Sequence, residues 1–140
     1  MTAADGMATA FKWRAGAWVG SQLGPTLWML ITGIRSLTVD RTLAALLLAC
    51  FFVHNGIALV VWIRRDRYSA YVANQVMLLL VGVTSILANV AIDTLGYWSE
   101  YGISDSATNV YWFIAVIIPG FAGLFYVLET RARTKAIQKA

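Results

Sequence analysis

The charged residues of this chain fall in clusters, and between the clusters lie four long runs with no charge at all. Residues 15–34 form a run of 20, residues 42–63 a run of 22, residues 68–92 a run of 25 and residues 106–128 a run of 23. A helix rises about 1.5 Å per residue, so roughly 20 apolar residues span the ~30 Å hydrocarbon core of a bilayer. All four runs reach that length. Only 13% of the residues are charged and 59% are hydrophobic, against the roughly 25% charge of a soluble domain. A soluble globular domain and a disordered chain are both excluded on these grounds.

The expected fold is therefore all-α, a bundle of four transmembrane helices with both ends of the chain inside. Residues 1–140 form one integral-membrane domain, with spans near 13–34, 42–63, 69–92 and 110–128 and a basic tail over 129–140. The first span is the weakest, because Ser21, Gln22, Gly24 and Pro25 interrupt its middle. Orientation follows from Lys and Arg. With the N-terminal segment inside, the inner segments carry Lys12, Arg14, Arg64, Arg65, Arg67, Arg131, Arg133, Lys135 and Lys139, and the outer ones only Arg35 and Arg41. Nine against two is a strong positive-inside bias. It also absorbs the net charge of +4, so nothing points to a nucleic-acid partner. The partners expected are the lipid bilayer and other membrane subunits or copies of the chain. The location expected is a bacterial inner membrane. Residues 1–10 lack the basic and apolar regions of a secretory signal, so the first span is expected to insert uncleaved.

Lipid tails are as apolar as Leu, so helices meet in a bilayer through close packing and hydrogen bonds. Gly16, Gly20 and Gly24 stand four apart on one face of the first span. They offer a smooth surface to a helix of this chain or of another. Pro25 and Pro119, each beside a glycine, are expected to kink the first and fourth spans. Trp13, Trp62, Tyr68, Trp98, Tyr111 and Trp112 fall near span ends, as an interfacial aromatic belt does.

Polar groups inside the spans are the candidates for function. Ser85, Asn89 and Asp93 stand four apart, with Gly82 three before Ser85. This stripe reads either as interhelical hydrogen bonding or as an ion or proton path ending at Asp93. His54 is the one histidine, mid-span and followed by Asn55 and Gly56. It reads as a histidine bonded to a neighbouring helix, as an axial ligand to haem or chlorophyll with Cys50 one turn before it, or as a hydrogen-bonding group to a quinone or substrate. The pattern suggests no catalytic set and no metal site, and no cofactor is required. The leading expectation is a non-enzymatic accessory or structural subunit of a larger membrane complex. The alternatives are a homo-oligomeric channel, small transporter or phage-type pore former, and a haem- or chlorophyll-binding subunit of an electron-transfer or photosynthetic complex.

Overall fold

The computed structural model describes residues 10–101 and 105–138. It consists of four α-helices, α1 (Ala15–Ser36), α2 (Arg41–Ile63), α3 (Ala70–Thr94) and α4 (Asp105–Ile137), with no strand among the described residues. Two of them, α2 and α3, are long and apolar enough to cross a membrane, by length and composition. Each expected segment falls on one helix. The ends of the first three differ from the helix ends by at most two residues, and the fourth helix is longer at both ends. Tyr111 has no described side chain, and Lys139 lies outside the described residues.

Local signals set the boundaries. Asp40 starts α2, its Oδ1 accepting the N–H groups of Thr42 at 2.8 Å and Leu43 at 3.1 Å. Ser69 starts α3 by accepting the Val72 N–H at 3.2 Å. Both satisfy donors that a helix N-terminus otherwise leaves open. The Arg64–Arg67 connection closes in a single 3-10 turn over Arg65–Arg67, with the Arg65 guanidinium 4.8 Å from the centre of the Trp62 ring. Pro25 and Pro119 lie inside α1 and α4, which continue through them as helix.

The chain packs as two antiparallel hairpins, α1 with α2 and α3 with α4, joined by lighter contacts of α3 with α1 and α2. The first hairpin is held close by Gly33. A Cβ there would stand 3.0 Å from Leu48 Cγ and 3.3 Å from Leu47 Cβ. In the second, a Cβ at Gly82 would meet Ile118 and Pro119 at 3.5 Å, ordinary contact.

Gly16, Gly20 and Gly24 do no such work within the chain. All three are exposed, and a Cβ at any of them would meet nothing within 4 Å. The inward seam of α1 is instead Gln22, Thr26, Met29, Gly33 and Ser36. Their 4-3-4-3 spacing keeps one line facing a partner helix.

Two structured ends close the bundle. At the basic end, residues 10–14 cross as an extended strap. The Ala10 N–H donates to Glu129 Oε2 at 3.0 Å, and Trp13 Nε1 donates to the Tyr68 carbonyl at 3.1 Å. Between them the Phe11 ring packs on Phe125 at 5.0 Å and Tyr71 at 5.7 Å. At the opposite end, residues 95–101 fold back under the helices. Ser36 Oγ meets Tyr101 OH at 2.6 Å, Arg35 donates to the Tyr101 carbonyl, and Tyr97 OH donates to Asp40 Oδ2 at 3.2 Å. Trp98, expected in the interfacial belt, is buried here with Leu43, Leu47, Ala88 and Ile92. The Leu43 N–H, more than any other contact, holds the Asp40 carboxyl below the usual carboxylate range. Burial chiefly, with Asp40 beside it, pushes the Tyr97 phenol up.

Candidate functional site

The bundle buries polar side chains beside its apolar core and leaves large apolar ones exposed on its surface. Thr26, Ser36 and Ser85 are fully buried and Asn89 is 2% exposed, while Leu79, Phe52 and Val116 are 68%, 64% and 66% exposed. A protein folded in water has the reverse bias, because apolar burial drives its folding. Gln22, Thr32, His54 and Asn74 complete the buried polar set of α1, α2 and α3.

The α1–α2 seam carries its best-connected part. Gln22 Nε2 donates to Ser21 Oγ at 2.9 Å, which leaves Gln22 Oε1 facing His54 Nε2 at 3.2 Å. A carbonyl oxygen only accepts, so the neutral imidazole carries its proton on Nε2 and leaves Nδ1 a bare acceptor. One turn along, Asn55 Nδ2 donates to Thr26 Oγ1 at 3.1 Å and to the Phe51 carbonyl at 2.8 Å. Thr26 passes its own hydroxyl proton to the Gln22 carbonyl at 2.8 Å. Gln22 and Asn55 also line a groove of about 210 Å³ between the two helices. His54 is thus bonded across to a neighbouring helix.

The α3 stripe divides. Ser85 and Asn89 point into the bundle, but Asp93 is exposed, and its Oδ1 accepts the Trp98 indole N–H at 3.0 Å. Four-residue steps overshoot a 3.6-residue turn by about 40°, so the third member has rotated out of the interface. Among the described residues neither Ser85 nor Asn89 bonds a side chain of another helix. Asn89 Nδ2 donates to the Ser85 carbonyl of its own helix at 2.9 Å.

Four buried polar atoms have no hydrogen-bond partner among the described residues: Trp28 Nε1, His54 Nδ1, Ser85 Oγ and Asn89 Oδ1. Trp28 packs against two core clusters that both include α3 residues. Ser85 and Asn89 stand one turn apart on α3, where a hydroxyl and an amide acceptor suit a small polar guest such as water.

Several contributors are not singled out by the sequence pattern. Gln22 shows there only as a flaw in the first span. Trp28 gives no signal. Glu129 is 2% exposed and paired with Arg133 at 3.0 Å, yet in sequence it is merely the acid that opens a basic tail. Among the described residues no three His, Cys, Asp or Glu side chains come together. Comparison with family models, with curated proteins and with solved structures finds no match.

Proposed function

We propose that this chain is a non-enzymatic integral membrane protein of four spans, and that it acts as an accessory subunit by presenting the glycine face of α1 to a helix of another chain. The observation that carries the reading is the exposure of Gly16, Gly20 and Gly24, each with open space where a side chain would be. A face that permits close backbone approach and meets nothing inside the chain suits a partner outside it. Val19, Leu23, Leu27, Ile31 and Ile34 flank it, all exposed. The buried polar side chains of α1 lie on the opposite face.

The same division supports α1 as a span. Its polar side chains lower the hydropathy of the whole helix, but a bilayer would meet only the apolar face. Twenty-two residues make about 33 Å of helix, and residues 15–34 carry no charge. In α4 the uncharged stretch 106–128 has the length of a span, with Phe113, Val116 and Phe121 exposed along it. The nine-to-two distribution of basic residues supports an orientation with the basic end of the bundle in the cytoplasm, as in a bacterial inner membrane.

A native mass spectrum of the protein extracted in mild detergent tests the subunit reading. The wild type is expected to carry another membrane chain or copies of itself in fixed ratio. Gly20→Leu is expected to lose that partner at least tenfold while eluting as a folded monomer. A wild type found only as a monomer, or a partner retained by Gly20→Leu, contradicts the reading.

A second reading, a small channel or transporter, is favoured by the unpartnered Trp28, Ser85 and Asn89 atoms inside the bundle. A haem or chlorophyll on His54 ranks behind it, because the ligand would have to use Nδ1 or displace Gln22 from Nε2.

A further inference from the structure

A second cavity, of about 220 Å³, opens under the strap at the basic end. Its walls come from the strap, the first turns of α1 and α3, and α4 at Phe125. Lys12 and Arg14 stand at it, with Trp18, Ser21 and Asn74. Asn74 is 93% buried, being 7% exposed, and its amide makes no hydrogen bond among the described residues. That amide offers two donors and an acceptor to whatever occupies the cavity. Here it lines a space about seven water volumes in size. Neither cation has an anionic partner among the described residues, since the one ion pair there joins Arg133 to Glu129.

Two unpaired cations, a buried amide donor and indole and phenyl walls define a ligand with an anionic head and an apolar body. The strap sets the geometry. Trp13 is tied to the Tyr68 carbonyl and Phe11 lies on Phe125, so Lys12 and Arg14 are held at the mouth on a fixed extended segment and not on a free tail. We infer that this cavity binds the phosphate-bearing headgroup of an anionic phospholipid, with the Asn74 amide as hydrogen-bond donor and Lys12 and Arg14 as the countercharge. The site rests on the membrane reading above, which places this end of the bundle at the anionic cytoplasmic leaflet.

Lipid retention in native mass spectrometry tests it, using delipidated protein mixed with phosphatidylglycerol, with phosphatidylcholine, or with inorganic phosphate. The wild type is expected to retain one phosphatidylglycerol and to discriminate against phosphatidylcholine about tenfold. Lys12→Gln/Arg14→Gln and Asn74→Leu are each expected to lose that retention about tenfold, with elution as folded protein checked for both. Arg131→Gln/Lys135→Gln, which removes the same charge away from the cavity, is expected to change nothing. Equal retention of the two lipids, or equal loss in the tail variant, overturns the site. Displacement of the lipid by millimolar phosphate overturns the lipid assignment and makes the ligand a free anion. Failure of any of these arms leaves the four-span topology untouched, because sidedness is read by labelling and not by lipid retention.

Discussion

Gly33→Leu is expected to separate α1 from α2 and to be among the most damaging single substitutions in the chain. Even a bare Cβ at this position stands 3.0 Å and 3.1 Å from Leu48 side-chain atoms and 3.3 Å from Leu47 Cβ. The Leu47 atom is fixed to its backbone and cannot swing away. Three further heavy atoms have no room unless the helices part, and parting them stretches the Gln22–His54 and Asn55–Thr26 bonds of the same seam. Overpacking of this kind costs about 3 kcal/mol, near the upper end for a single added side chain. The apparent melting temperature in mild detergent, followed by loss of the monomer peak in size exclusion, is the measurement. Gly20→Leu is the paired control. It should melt with the wild type, since nothing lies within 4 Å of its Cβ, and so separates a glycine used for folding from one left for a partner.

Asn89→Leu is expected to have the opposite sign. Asn89 is 2% exposed, and its one hydrogen bond satisfies a carbonyl already in its own helix. Its Oδ1 is buried without a partner among the described residues, and leaving such an atom unpaired costs about 1–3 kcal/mol. A leucine of similar size removes the penalty and keeps the volume. The melting temperature should hold or rise by about 4 °C per kcal/mol recovered. If the interior passes ions or protons, the same variant should abolish flux in liposomes while folding at least as well as the wild type. Asp93→Asn should alter neither property, because Asp93 lies on the surface against Trp98. A destabilised Asn89→Leu would mean that the amide oxygen has a partner that holds the fold together.

The helices were legible in the sequence because their cause is local: uncharged runs of spanning length, bounded by charged residues and by capping residues such as Asp40 and Ser69. Which face of each helix turns inward was not, since that depends on the neighbours. On α1 the glycine line and the Gln22–Thr26–Met29–Gly33–Ser36 line are both plausible contact seams, and the first is the more conspicuous. The chain uses the second. For the same reason Gln22, read as weakening the first span, belongs to the inward side of α1, with Ser21 half-buried beside it. On α3 the drift of a four-residue repeat turned Asp93 out of a line that looks continuous on paper. His54 was correctly expected to reach a neighbouring helix, but Gln22 as its partner needed the three-dimensional register. The strap at 10–14 and the burial of Glu129 were beyond pattern reading, as they depend on contacts between residues more than a hundred positions apart.

Four crossings, with the basic end of the bundle in the cytoplasm, are the claim on which the rest depends. Single cysteines introduced in a Cys50→Ala background and labelled with a membrane-impermeant maleimide test it directly. Thr38→Cys and Ser99→Cys should label in intact cells. Thr2→Cys, Asp66→Cys and Thr134→Cys should label only after permeabilisation. Labelling of position 2 together with position 38 would show that α1 does not cross, and labelling of position 134 together with position 99 would show the same of α4. Either result would leave a protein of fewer spans and contradict the account.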